Sequence, residues 1–307
     1  MVDRRSPGGW RFVLLGCAGL ALCGCAGPKR GQSPVGAAQA VKGPFRQDVA
    51  WSPDGKWLAY SEYDGREPFD IAGYAVWVAA ADGSDRRRVV DQATWVSWSP
   101  EGERIAFGAV RAGNWDVYTV DASGGNLRRL THDPARDQQP AWSPDGKQVA
   151  FCSERSGGSD IYVAPVDGGE PRRVTADADK DFNPAWSPDG KSIVFYREKG
   201  DGKDQVWVVE AASGAERRIT DDELNNTFPS YLPDGGIAYV AGGKGREQAV
   251  VVWREGKSRK VSTGRERTFF ARWSPDGKSI ACITGGWPHS VIRVLNARGG
   301  GSRIVVE

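Results

Sequence analysis

Histidine is the scarcest candidate catalyst in this chain: there are two, His132 and His289. They fall in different repeat units, so a Ser-His-Asp relay or a zinc site built around them is not expected. A serine hydrolase of the α/β type would also carry its nucleophile on a Gly-x-Ser-x-Gly elbow, and that string is absent. Polar residues do gather near the starts of several predicted strands: Asp48, Asn183 and Asn226, with Asp137 and Asp181 nearby. Such groups either solvate a loop or approach a channel where a cation could sit. No catalytic residue, metal ligand or cofactor is assigned from them.

The chemistry the sequence does support is at the N-terminus. Arg4, Arg5 and Arg11 precede the run FVLLGCAGLALCGC. Its apolar stretch is about 11 residues, short of the roughly 20 that span a bilayer but right for a signal peptide. The run ends in Leu22-Cys23-Gly24-Cys25, which resembles the bacterial lipobox. The resemblance implies cleavage before Cys25 and lipid on its sulfur. Leu14-Leu15-Gly16-Cys17 comes too early, and Cys23 follows a bulky Leu22. Residues 1–24 are therefore read as a lipoprotein signal peptide. Residue 26 is Ala rather than Asp, which in a Gram-negative cell favours the outer membrane, facing the periplasm. Residues 25–44, small and rich in Gly and Pro, read as a flexible tether.

Charge narrows the partners. The net charge of +2 comes from Arg4, Arg5 and Arg11 against Asp3, and the remainder balances. That excludes a global electrostatic case for nucleic acid. Membrane contact is expected through the lipid anchor only.

The rest of the chain repeats. VAWSPDGKWLAY, VSWSPEGERIAF, PAWSPDGKQVAF, PAWSPDGKSIVF, PSYLPDGGIAY and ARWSPDGKSIAC carry the aromatic anchors Trp51, Trp98, Trp142, Trp186, Tyr231 and Trp273, a period of 42–47 residues. Within a unit, QPAWS, KQVAFCSE, DIYVAPV and PRRVTA alternate apolar and polar residues and are parted by Gly-rich turns. Four short strands per period predict an all-β fold, a six-bladed β-propeller of four-stranded antiparallel blades over residues 45–307. The recurring W-S-P-D-G-K is a folding device on this reading. Pro sets the first corner, Asp bonds backbone N–H groups, Gly takes positive φ, and Trp fills the wedge between blades.

These strings, with the DIYV and RRLT segments that follow them, resemble the repeats of TolB-type six-bladed propellers. The resemblance covers nearly the whole chain after the tether and implies the propeller fold. It does not single out a role, because that propeller serves several. The type member carries an α/β domain ahead of its propeller, where this chain has the tether. The fifth repeat departs from the pattern with Tyr231-Leu232.

The residue three before each anchor is Asp48, Trp95, Gln139, Asn183, Phe228 or Phe270. In the TolB-like pattern this slot lies at the channel mouth. Aromatics mixed with amides there suit a peptide loop of an envelope protein. A glycan is the rival ligand, and a lactonase-like metal-dependent hydrolase at the channel is the enzymatic alternative. The reading adopted is a non-catalytic, protein-binding envelope lipoprotein. Paired basic residues on the outermost strands, such as Arg128-Arg129, read as edge protection, with a cationic perimeter for anionic lipid or polysaccharide as the alternative. Cys152 and Cys282 fall in opposite blades and are expected to stay unpaired.

The anchor is directly testable. Cys25→Ser is expected to move the protein from the membrane fraction to the soluble envelope fraction and to abolish palmitate labelling. A variant that still sediments with membranes and still labels would remove the lipobox from the argument.

Overall fold

In blades one, three, four and six the serine and aspartate of the turn motif tie the first strand to the second. In the computed structural model, Ser52 Oγ donates to Asp54 Oδ1 (2.6 Å) and accepts the Trp57 N–H (2.9 Å), while Asp54 Oδ1 accepts the Lys56 N–H at 3.0 Å. Gly55 takes φ +69°. The same bonds recur at Ser143/Asp145, Ser187/Asp189 and Ser274/Asp276. They hold these carboxyls below the usual range. The structure describes residues 44–63, 71–111, 113–242, 248–262, 267–286, 289–298 and 301–307. Cys25 and the tether lie outside them, apart from Pro44.

Six four-stranded antiparallel sheets follow, each made of consecutive strands. The innermost strands are Phe45–Trp51, Ala93–Trp98, Asp137–Trp142, Lys180–Trp186, Asn225–Tyr231 and Thr268–Trp273. Each packs on the next, and the last returns to the first. The propeller expected from the repeats is the fold observed. Among the described residues the only helical turn is the short Ile71–Gly73.

The core lies between blades. Cys152, Ile161 and Val163 of blade three pack against Phe182, Ile193 and Phe195 of blade four. Corresponding layers join blades one to two, two to three, four to five and five to six. The anchor tryptophans wedge these joints: the Trp186 indole donates to Ala141 O of the preceding blade (3.1 Å), and Trp51 to Arg272 O (3.0 Å). Cys152 and Cys282 are buried and form no disulfide. Burial pushes the Cys152 thiol well up.

The outer basic pairs do more than guard an edge. The first arginine of two pairs reaches the next blade, Arg87 to Ala122 O (3.4 Å) and Arg172 to Ala211 O, and the single Arg303 of blade six does the same with Ala81 O (3.0 Å). The second bonds its own blade, as Arg129 does with Thr131 O (2.9 Å) and Asp116 (2.8 Å). The threonine then accepts the third-strand N–H of Val117 at 3.0 Å. Arg173 and Thr175, and Arg218 and Thr220, repeat these backbone bonds.

Among the described residues the ring closes without a strand shared between blades one and six. Arg46 joins them. Its backbone N–H donates to Ser290 Oγ (2.7 Å), and its guanidinium donates to Ser290 O and to Glu307 O (2.8 Å). The guanidinium also pairs with Glu62 (2.9 Å), which Arg86 meets from the other side. Arg46 is wholly buried. Removing it strands two carbonyls and leaves Glu62 with Arg86 alone, so Arg46→Ala should cost about 3–5 kcal/mol. Arg303→Ala removes only an exposed bond at the same seam and should cost less than about 1 kcal/mol. Urea unfolding of both variants checks the contrast. Equal losses would mean that Arg46 does not hold the seam.

Candidate functional site

Three residues before the anchor, the first strand breaks step with its neighbour. The register shifts at Thr94/Ser97, Ala150/Cys152, Phe182/Ala185, Thr227/Ser230 and Phe269/Arg272. At each break sits the slot residue, Trp95, Gln139, Asn183, Phe228 or Phe270, with φ between +50° and +56°. Left-handed backbone costs a non-glycine residue about 1–2 kcal/mol, so five copies are a sizeable local strain that the surroundings must hold. Blade one differs. Its shift lies between Arg46 and Asp48, and Asp48 stays in register with Ser61.

The slot side chains fold back over their own blades. Asp48 accepts the Ser61 N–H (2.8 Å) and hydroxyl (2.6 Å). Gln139 Oε1 accepts from Cys152 Sγ at 3.1 Å. The Trp95 ring fills the space where a Cβ on Gly108 would sit, 2.9 Å away. Neighbouring slots are also linked. Asp48 Oδ2 accepts the Val96 N–H of blade two (2.8 Å), and Gln139 Oε1 accepts the Asn183 N–H of blade four (2.9 Å). The Phe228 and Phe270 rings meet tilted by 38°, with centroids 4.2 Å apart. All six side chains are buried, at most 6% exposed. They form a collar that fixes the shape of the inner strands. Burial pushes the Asp48 carboxyl up against these hydrogen bonds. The Trp95 indole N–H and the Asn183 amide NH₂ are buried with no hydrogen-bond partner among the described residues.

The other strand-start polar residues are also engaged. Asp137 and Asp181 were expected to solvate a loop, yet both are fully buried. Asp137 pairs with Arg155 (2.9 Å) and Asp181 with Arg197 (2.8 Å). Asn226 donates to Asp222 Oδ1 at 2.7 Å. Among the described residues, no three His, Cys, Asp or Glu side chains are grouped to hold a metal.

One inner-strand residue went unnoticed in the sequence, though its signal was there. Directly before the anchor the first five repeats have Ala50, Ser97, Ala141, Ala185 and Ser230; the sixth has Arg272. Arg272 is half-buried. Its Nη1 donates to Phe228 O of blade five (3.3 Å) and to Ala271 O (3.2 Å). Its guanidinium lies 5.9 Å from the centre of the Phe270 ring. Burial pulls its pKa down to about 10, against the attraction of the Asp48 carboxylate.

Comparison with known proteins agrees with this architecture. The family described as TolB beta propeller domain matches residues 48–201 and 180–307. The Tol-Pal system protein TolB of Anaeromyxobacter dehalogenans is 35% identical over 91 residues, 30% of this chain and 20% of that protein. The match thus spans about a fifth of that curated relative. Among solved structures, TolB from Acinetobacter baumannii superposes with TM-score 0.65 at 21% identity, over 84% of this chain and 62% of that one. The β-propeller domain of the trilobed protease from Pyrococcus furiosus, described as having an open velcro topology, gives TM-score 0.61 at 11% identity, over 87% and 99%. At these identities the structures establish the fold alone.

A strained acid pair lies beyond the second strand of blade four. Asp204 is half-buried, and its pKa is pushed up to about 6, first by burial and then by the Glu198 carboxylate. Asp204 Oδ1 and Glu198 Oε2 are buried without hydrogen-bond partners among the described residues. The folded state therefore holds a proton that the unfolded state releases, so stability falls as pH rises from about 4 to about 6. Asp204→Asn should flatten this slope. At pH 7.5 it should raise the melting temperature by roughly 2–4 °C, for about 1 kcal/mol after solvent screening; at pH 4 it should change little. Thermal melts at the two pH values decide, and an equal effect at both would remove the raised carboxyl from the account.

Proposed function

We propose, since the chain belongs to the TolB beta propeller domain family, that it is a non-catalytic, lipid-anchored scaffold of the cell envelope that holds a peptide loop of an envelope protein at its channel mouth. The observation carrying this reading is the ring of broken registers. An innermost strand pairs with its blade on one edge only, and its other edge faces the axis. At each break, consecutive residues leave the ladder and their backbone N–H and C=O groups lose their strand partners; side chains of neighbouring blades take some of them, as Asp48 takes the Val96 N–H and Gln139 the Asn183 N–H, and the others are offered to a ligand in this reading. An extended peptide binds through such groups and takes its selectivity from neighbouring side chains. Asp48, Trp95, Gln139, Asn183, Phe228 and Phe270 build this mouth by holding the inner strands in shape. Phe269, half-exposed and in edge contact with Phe228 at 6.3 Å, supplies apolar surface beside it. The anchor at Cys25 would keep the ring at the membrane.

The reading is tested by placing a photo-crosslinking amino acid at position 269 and, as a control, at Leu127, which lies on the outer rim of blade two and is 46% exposed. In envelope extract, position 269 should give a discrete protein adduct that position 127 does not. Loss of the collar ring contact in Phe228→Ala should weaken that capture about tenfold or more. Equal labelling at the two positions would count against the channel mouth, and labelling of glycan alone would favour the carbohydrate reading.

A further inference from the structure

We propose that Arg272 is a carboxylate receptor in the central channel and that the peptide ligand presents an acidic side chain or its C-terminus to it. This rests on the protein-binding reading above and specifies the ligand's chemistry. The placement comes first. Arg272 stands on the innermost strand of blade six, its guanidinium reaches the Phe228 carbonyl on the innermost strand of blade five, and its own carbonyl accepts the Trp51 indole N–H from that of blade one. A group held among three innermost strands lies on the channel side of the ring.

Its pairing is incomplete. The other arginines near the inner strand ends meet carboxylates: Arg46 with Glu62 (2.9 Å), Arg155 with Asp137 (2.9 Å) and Arg197 with Asp181 (2.8 Å). Arg272 has two neutral carbonyl acceptors, at 3.3 and 3.2 Å, and forms no ion pair among the described residues. Asp48 accepts its bonds from Ser61 and Val96 and makes no ion pair with Arg272. A half-buried guanidinium with only neutral acceptors keeps donor capacity free, since it has five N–H groups in a planar fork. That fork matches a carboxylate in two parallel bonds.

The position is not built for a structural arginine either. The five other repeats manage with Ala or Ser there, and Ser97 and Ser230 serve it with one short bond each, to the Trp142 N–H (3.1 Å) and to Ala271 O (3.2 Å). A charge set in such a place without a partner does not stabilise the fold, so its use is sought in binding. The surroundings favour a peptide over a free ion. Phe269, Phe270 and Phe228 flank the guanidinium's strand with apolar rings, and the bulged backbone beside it offers peptide-like groups.

The test uses the full chain, with arginine Nε–H signals followed by NMR and the Arg272 signal assigned by its absence in Arg272→Gln. The probes are hexaglutamate, hexaglutamine acetylated at its N-terminus and amidated at its C-terminus so that it carries no carboxylate, and trigalacturonate. Hexaglutamate should move the Arg272 signal and hexaglutamine should not. Arg272→Gln should weaken hexaglutamate binding about tenfold or more, with Arg272→Lys in between. No response to hexaglutamate, or an equal response to hexaglutamine, overturns the proposal. A response to trigalacturonate equal to or larger than that to hexaglutamate overturns the peptide assignment in favour of an acidic sugar. Arg272→Ser, which installs the residue type of repeats two and five, should keep or raise the melting temperature. A fall of more than a few degrees would make Arg272 a brace for blade five and overturn the proposal. The position-269 crosslink separates the two ideas. Unchanged capture in Arg272→Gln sinks the receptor but leaves the scaffold, whereas absent capture beside an intact hexaglutamate response sinks the scaffold alone.

Discussion

A four-stranded blade has two apolar faces and no helix to cover either one. Each face can be buried only against another blade, so no blade is complete until the ring is. This constraint organises the rest of the molecule. The apolar clusters straddle neighbouring blades, and the anchor indoles of Trp51 and Trp186 donate across the joints. The outer arginines reach over to the next blade's carbonyls. The seam between blades one and six faces the same demand without a shared strand, and Arg46 meets it with a charge buried among carbonyls and a carboxylate.

Burying charge in this way is costly unless every partner is in place. Asp137 with Arg155 and Asp181 with Arg197 repeat one solution, a carboxylate at the start of the first strand meeting an arginine near the end of the second. Arg197 also holds Asp177 and Glu216. The oxygens of both carboxylates are committed to guanidinium groups. The residues that looked available for chemistry are the ones that lock the strand ends.

Most of the fold was legible because it is written six times. The Trp-Ser-Pro-Asp-Gly turn gives the period, and its serine and aspartate make the same bonds in blades one, three, four and six. The collar was legible only in outline. Its positions follow from counting back from each anchor. Its conformation does not, because nothing in Trp95 or Phe228 signals a left-handed φ that their type disfavours. The direction of the slot side chains depends on the residue thirteen further on: Ser61 bonds Asp48, Gly108 makes room for Trp95, and Cys152 bonds Gln139. Each pairing is idiosyncratic, so no single repeat predicts the next.

Repetition also obscures. A motif that recurs has a role common to all blades, and that role is holding the ring. Function, which needs one place on the ring to differ from the others, must lie where the repeats disagree. The slot disagrees in residue type but agrees in burial and in linking blades. The position before the anchor agrees in five small residues and breaks once, at a guanidinium whose nearest acceptors are neutral. A ring of similar blades has no intrinsic polarity around its axis. Asp48 on blade one and Arg272 on blade six break that symmetry, and on the receptor reading a ligand would take its orientation from Arg272.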